Sequence, residues 1–159
     1  MTIDKNQMEY RKKASAIIFD SENRLLLVQL HDYDEHQWNV PGGGIEVGET
    51  PLTAIRREME EELGTTHFEL VEQSKIIDRY DFPDQLIERI INEGRNYRGQ
   101  EQIQFIFKFT GKDSEIKIQE DEIRKYKWVP LSKLEEHLVF PNQLENILNV
   151  IENSALNIK

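Results

Sequence analysis

The chain has 159 residues, 38% hydrophobic and 31% charged, a balance typical of one globular domain over residues 1–159 rather than of a disordered or fibrous protein. It contains no cysteine, which excludes disulfides, thiolate metal ligands and cysteine nucleophiles, and its net charge of −10 argues against broad non-specific binding to nucleic acid. The apolar runs are too short to cross a membrane and the N-terminus is polar, so we expect a cytoplasmic protein without membrane attachment.

The first third of the chain predicts a β-hairpin followed by a glycine-rich loop. Residues 14–19 and 24–30 are short apolar runs separated by turn residues, which predicts two paired strands. A polar loop and a short apolar stretch then lead to Pro41 and the glycine run Gly42–Gly44. We expect this run to be a loop whose backbone can approach a ligand closely and offer its carbonyl groups.

The clearest element is a helix that follows this run. Thr50 is suited to the N-cap, Pro51 to the first helical position and Gly64 to the C-terminal end. Between them, apolar residues recur at helical spacing and form one stripe: Leu52, Ile55, Met59 and Leu63. The sequence therefore predicts an amphipathic helix over residues 51–63.

The rest of the chain mixes strand and helix signals. In chain order, it predicts an extended segment at 68–80, a long loop at 81–99 with one helical turn around 85–91, strands at 102–109 and 126–129, and helices at 131–138 and 142–153. Helices interleaved with strands predict a layered α/β or α+β fold. The hairpin implies that the sheet is mixed rather than wholly parallel.

Three glutamates of the predicted helix form the main candidate site. The spacing of Glu58, Glu61 and Glu62 puts their carboxylates on one side of the helix, beside the apolar stripe. Like charges in this position need compensation, and divalent cations such as Mg²⁺ prefer oxygen ligands and can be shared with phosphates. An acidic helix face is more often only solvated. The glycine run and a pairing of Glu49 with Arg57, which could tie the loop to the helix, favour a site.

These residues resemble the Nudix hydrolase box, G-x5-E-x7-R-E-U-x-E-E-x-G-U, in which U is a bulky apolar residue. All seven fixed positions match, from Gly43 to Gly64, and Thr65 departs from the final U. Seven chance matches have odds on the order of 10⁻⁸ to 10⁻⁷ per starting position. The resemblance implies an α/β/α sandwich with a mixed sheet and the box as loop–helix–loop. It also implies Mg²⁺-dependent hydrolysis, with Mn²⁺ as a substitute, of a nucleoside diphosphate linked to another group.

The resemblance also implies roles for individual residues. Glu58, Glu61 and Glu62 correspond to metal ligands, and the carbonyl of Gly42 and the carboxylate of Glu122 are further candidate ligands. Glu122 begins an E-x5-W-V pattern similar to that of RNA pyrophosphohydrolases and dinucleoside tetraphosphate hydrolases, in which the glutamate faces the metals. The general base is left open between Glu58 and Glu122, and an ordinary charged loop is the alternative interpretation of the second.

Further segments resemble the same two groups of Nudix enzymes: Tyr10–Arg11, His36–Trp38, Arg79–Pro83, Gly99–Gln102, Trp128–Val129 and Val139–Phe140. They provide four candidate substrate-binding residues. Arg11 could hold a phosphate, Tyr80 and Phe140 could stack on a base, and Gln102 could bind phosphate or support the sheet. Gly42 stands where the RNA-acting group usually has glutamine, which weakens the match to RNA ends more than the match to pyrophosphate hydrolysis.

The sequence thus predicts a Mg²⁺-dependent hydrolase of phosphoanhydride (pyrophosphate) bonds in nucleotides. The expected substrates are dinucleoside polyphosphates or RNA 5′-triphosphate ends. Three alternatives stay open: a (d)NTP pyrophosphohydrolase that clears modified nucleotides, a nucleotide-binding module without catalysis, and an acidic helix that serves only solubility. The oligomeric state is not predicted.

Overall fold

The computed structural model describes residues 4–156 and is built on one mixed sheet. Its strands are β1 (Glu9–Phe19), β2 (Arg24–Leu30), β3 (Gly42–Gly44), β4 (Phe68–Asp81), β5 (Tyr97–Phe109) and β6 (Ile123–Pro130). The α-helices within the described residues are α1 (Pro51–Leu63), α2 (Asp84–Asn92) and α3 (Gln143–Glu152), with short 3-10 helices at Lys5–Gln7, Asp113–Glu115 and Leu131–Glu136. None of these helices is long and apolar enough to cross a membrane.

The strand order is β4-β5-β1-β2-β6, and β3 pairs with β1. The neighbours β1 and β5 are parallel, whereas β1–β2, β2–β6 and β4–β5 are antiparallel. The hairpin of β1 and β2 is paired at Phe19 and Leu25, close to its turn. Further from the turn, β3 pairs with Lys13–Ser15 of β1. The predicted mixed sheet is therefore confirmed.

The two faces of the sheet bury separate cores. Alternate residues of β1 point to opposite faces. Ala14, Ala16 and Ile18 pack with the apolar stripe of α1, and the neighbouring Ile17 and Phe19 pack with α3. Helices thus cover both faces, which confirms the α/β/α sandwich.

Helix α1 has the boundaries that the sequence predicts. The Thr50 hydroxyl accepts a hydrogen bond from the Thr53 backbone N–H at 3.1 Å, and Pro51 is the first helical residue. Gly64 ends the helix in the left-handed region, with φ of 71°. Ile55, Met59 and Leu63 are buried in the core, as the apolar stripe predicts.

Other boundaries differ from prediction. Strand β1 begins at Glu9 rather than residue 14 and β5 at Tyr97 rather than 102, because these extensions carry polar residues that resemble a loop in sequence. The predicted single turn around 85–91 is the nine-residue helix α2, held by buried Ile87 and Ile90. The glycine run is a strand rather than a loop, and the predicted helix at 131–138 is a six-residue 3-10 helix.

Candidate active site

The glycine strand β3 brings the backbone against helix α1. A Cβ atom on Gly43 would stand 2.4 Å from the carboxyl carbon of Glu58, and one on Gly42 would stand 2.4 Å from the carbonyl oxygen of Ala14. Both distances are far below van der Waals contact, so only glycine allows this approach. The carboxylate of Glu58 therefore lies directly on the backbone of β3.

Arg57 fastens this strand and the following loop to α1. Its guanidinium donates two hydrogen bonds to the Glu49 carboxylate, at 2.8 and 2.9 Å, and one to the Gly44 carbonyl at 3.1 Å. The bond from Arg57 is the main reason that the pKa of Glu49 falls to about 2. The predicted pairing of Glu49 with Arg57 is therefore present in the structure, and it positions the glycine strand.

Glu58 and Glu62 form a carboxyl pair in a nearly dry environment. Glu62 is only 5% exposed, and its carboxyl group lies close enough to that of Glu58 to share a hydrogen bond. Burial, followed by the charge of Glu58, raises the pKa of Glu62 to about 9. The Lys13 ammonium and the Gly42 N–H act in the opposite direction. Burial in turn lowers the pKa of Lys13.

The third glutamate of the box, Glu61, shares Arg57 with Glu58. Arg57 donates a hydrogen bond to Glu61 at 3.3 Å and another to Glu58 at 2.9 Å, and the Glu61 side chain is half exposed. Within residues 4–156, no three Asp, Glu or His side chains are arranged so that they could hold a metal ion together. Glu58 and Glu61 thus share one nitrogen of the Arg57 guanidinium, and the role of the three glutamates as metal ligands stays a prediction.

The donor set nevertheless fits a hard divalent cation. The pair offers carboxylate oxygens, and its neighbouring cations are Lys13 beside Glu62 and Arg57 beside Glu58. Mg²⁺ prefers oxygen ligands of this kind. The backbone N–H of Gly42 donates a hydrogen bond to the Glu62 carboxyl group. The carbonyl of Gly42 stays a predicted metal ligand.

Glu122 belongs to the loop that leads into β6. It is the residue before β6, and its backbone N–H bonds to the Gln119 carbonyl at 3.1 Å. The N–H of Gln119 in turn bonds to the carbonyl of Glu62 at 3.0 Å, so this loop is anchored at the end of α1. The Glu122 side chain is exposed and forms no hydrogen bond or ion pair with residues 4–156. Its catalytic role stays a prediction.

Strand register brings three of the four predicted substrate-binding residues to one sheet face. Arg11 pairs with Gln100 and Lys13 with Gln102, while Tyr80 of β4 also lies opposite Gln100. Since side chains alternate along a strand, these residues line the same face. The Arg11 guanidinium donates to the Gln100 side chain at 3.3 Å, and a Cβ on Gly44 would stand 2.9 Å from it. Arg11 therefore lies against Gly44 of β3.

Phe140 precedes α3 on this same face. Its ring packs edge-on against Tyr33, with centroids 5.2 Å apart. Asn146 of α3 donates to the Asp78 carboxylate at 3.0 Å, and Asp78 lies opposite Gln102 in the sheet. Helix α3 and Phe140 thus border the polar face that carries Arg11.

Several polar residues of this face were not predicted from the sequence. Ser15 and Gln104 are fully buried opposite each other, and within the described chain the Ser15 hydroxyl and the Gln104 carbonyl oxygen have no hydrogen-bond partner. Polar residues at alternate positions of β1 and β5 were the available signal: Arg11, Lys13 and Ser15, and Gln100, Gln102 and Gln104. A period of two among polar residues predicts one polar face.

Comparison with known proteins defines the class. Residues 9–149 match the NUDIX domain family model, and the chain belongs to this family. An RNA pyrophosphohydrolase from Bartonella henselae is 37% identical over 80% of each chain, and one from Pelagibacter ubique is 33% identical over 87% of this chain and 88% of its own.

Solved structures share the fold at lower identity. The Escherichia coli dihydroneopterin triphosphate pyrophosphohydrolase superposes with a TM-score of 0.68 and 20% identity, covering 91% of this chain and 99% of its own. A Caenorhabditis elegans Ap4A hydrolase gives a TM-score of 0.61 and 18% identity, covering 88% and 98%.

Proposed function

We propose that this Nudix protein hydrolyses pyrophosphate bonds in nucleotides, with Mg²⁺ as its metal and Mn²⁺ as a substitute. The observation that carries the proposal is the carboxyl pair of Glu58 and Glu62, with Glu58 against Gly43 and Lys13 beside Glu62. A polyphosphate needs positive charge around it and a metal-binding group at the bond to be cleaved. This site offers positively charged side chains and a carboxyl pair that can bind a metal.

In this proposal the glutamates, Arg11 and Arg57 have separate roles. Glu58 and Glu62, joined by Glu61, would hold the metal, which supplies charge neutralisation and a more acidic attacking water. Arg11 places a guanidinium where a phosphate can accept two hydrogen bonds. Arg57 keeps Glu58 on the backbone of β3 through the bond at 2.9 Å.

A carboxylate must accept the proton of the attacking water, and two candidates remain. The position of Glu58 beside Glu62 supports the first, and the E-x5-W-V pattern supports Glu122. Glu122→Gln separates them. It lowers turnover by about 10²-fold or more if Glu122 is the base, and it leaves turnover within a few-fold of the wild type if Glu58 is.

The substrates that we propose are RNA 5′-triphosphate ends and dinucleoside polyphosphates. Curated relatives named RNA pyrophosphohydrolase, at 33–37% identity, support the first class. The exposed ring of Tyr80 and the ring of Phe140 support substrates that carry a base.

A substrate panel with product identification tests this proposal. The panel contains a short 5′-triphosphorylated RNA, diadenosine tetraphosphate and the four dNTPs, each with Mg²⁺ and in oxygen-18 water to show which phosphorus is attacked. Hydrolysis of the first two supports the proposal. Release of pyrophosphate from dNTPs alone would identify a nucleotide-clearing enzyme instead, and an inert protein would indicate a binding module.

Glutamine variants test the assigned site. Glu62→Gln and Glu61→Gln should each lower turnover by orders of magnitude with the fold retained, because the side-chain size is kept and a charged ligand is lost. Glu60→Gln is the matched control, since Glu60 is exposed on the same helix. Full activity in the Glu62 variant would show that the metal assignment is wrong.

A further inference from the structure

Glu122, one of the two candidate bases, belongs to a loop whose shape depends on its backbone. The loop comprises residues 119–122. All four of its side chains are exposed, and none of them makes a hydrogen bond or an ion pair with the rest of residues 4–156. Backbone hydrogen bonds therefore decide where the Glu122 carboxylate stands.

Helix α1 holds one side of this loop. The Gln119 N–H donates to the Glu62 carbonyl at 3.0 Å, one of the helix-end carbonyls that lack a partner within the helix. The Gln119 carbonyl in turn accepts hydrogen bonds from the N–H groups of Glu122 and Ile123, at 3.1 and 2.9 Å. The loop therefore begins at the end of the helix that carries Glu62.

His31 holds the other side of the loop. It follows β2 directly after a register shift between Gln29 and Leu30 in the pairing of β2 with β6, and such shifts often redirect a side chain beside an active site. The His31 backbone N–H donates to the Glu122 carbonyl at 3.1 Å, and the ring Nε2 contacts the Glu120 carbonyl. A carbonyl oxygen only accepts, so Nε2 carries a proton and donates it to this bond.

A further hydrogen bond joins the same two segments. The Arg124 guanidinium, just beyond the loop, donates to the Tyr33 carbonyl at 2.6 Å. The Tyr33 ring packs against Phe140, and its pKa is raised first by burial and also by the charges of Asp32 and Glu62. The segment that follows β2 thus lies within electrostatic reach of the carboxyl pair.

We propose that His31 is a positioning residue for Glu122, because it fixes the backbone of loop 119–122 and thereby the place of the Glu122 carboxylate. In hydrolysis the water oxygen bonds to phosphorus, the bridging P–O bond breaks with its electron pair on the leaving phosphate, and a water proton passes to Glu122. His31 itself does not touch the substrate. The inference rests on the proposed function and takes Glu122, rather than Glu58, as the proton acceptor.

The test removes the ring donor and then restores it, with Mg²⁺ and either 5′-triphosphorylated RNA or diadenosine tetraphosphate. His31→Leu should lower kcat about tenfold and leave KM within about twofold, because the substrate contacts are kept and the proton acceptor is displaced. His31→Gln should keep kcat within about threefold of the wild type, since the glutamine amide nitrogen can donate from the position of Nε2. His36→Gln is the matched control and should change neither value, because the exposed His36 ring has its ion pair with Glu35 at 3.7 Å.

A double variant shows whether His31 acts through Glu122. In the Glu122→Gln background, His31→Leu should lower kcat no further, because the group that His31 places is already gone. A further loss of about tenfold in that background would overturn the proposal. So would equal losses in His31→Leu and His31→Gln, or wild-type kcat in either His31→Leu or Glu122→Gln.

Amide hydrogen exchange on the free protein separates this inference from the proposed function. In His31→Leu the Glu122 and Ile123 amides should exchange about fivefold faster, as expected when one neutral hydrogen bond is lost, while the amides of β1 keep their protection. Unchanged exchange in an active enzyme would refute the positioning role alone. A wild type that hydrolyses neither substrate would refute the proposed function, and the exchange rates would then still decide whether His31 orders loop 119–122.

Discussion

Replacing Gly43 with alanine should remove most of the activity while leaving the fold intact. The new Cβ would stand 2.4 Å from the Glu58 carboxyl carbon, whereas ordinary contact begins at 3.4 Å, so that carboxyl group must retreat by about 1 Å. A misplacement of this size can lower turnover about 10²-fold. Glu58 is a flexible side chain and φ of Gly43 is not positive, so the free energy of unfolding should change by less than about 1 kcal/mol.

The assay pairs initial rates of pyrophosphate-bond hydrolysis with thermal unfolding. Gly42→Ala is the comparison, because its Cβ would meet the backbone carbonyl of Ala14 at 2.4 Å and that carbonyl is held in the sheet. It should cost roughly 1–3 kcal/mol of stability, as overpacking does. Wild-type turnover in the Gly43 variant would refute the view that the contact of Glu58 with β3 matters for catalysis. Equal loss of stability in Gly43→Ala and Gly42→Ala would refute the claim that a clash with the movable Glu58 side chain costs less than a clash with the fixed Ala14 backbone.

Three further predictions concern stability. Asp81→Asn should lower the Tm at pH 7, and this effect should shrink under acid conditions. The hydrogen bond from Tyr10 and then that from Arg98 lower the pKa of Asp81 from 3.8, so its stabilisation is present above that pH and is lost as the pH falls through the folded pKa. Phe105→Ala should lower the free energy of unfolding by about 3–5 kcal/mol in denaturant titration, since the ring is fully buried. Gly64→Ala should cost about 1–2 kcal/mol by the same titration, because φ is 71°; an unchanged midpoint would contradict this reasoning.

Helix α1 could be predicted closely because its signals are local. Thr50, Pro51 and Gly64 each act within one turn of the helix, and the apolar stripe needs only the period of 3.6 residues. The pairing of Glu49 with Arg57 was also predictable, since both belong to one short motif.

The polar face could not be assembled in the same way. Arg11 and Tyr80 share it because β5 lies between β1 and β4, and that strand order brings together residues far apart in the chain. The polar start of β1 resembled a loop in sequence because Arg11 and Lys13 belong to neither of the two apolar cores. Helix α2 was underestimated because nine residues offer few periods.

The hydrogen bonds of the Arg57 guanidinium constrain the length of the segment between Gly44 and Arg57. It is bonded at once to Glu49, Glu58, Glu61 and the Gly44 carbonyl, which belong to a strand, a loop and a helix. An inserted or deleted residue between Gly44 and Arg57 would shift some of these partners out of reach together. Insertions and deletions should therefore be tolerated in the exposed segment 34–36 but not between Gly44 and Arg57. The segment from Gly44 to Arg57 can change in sequence between its anchoring residues, but its length must stay the same.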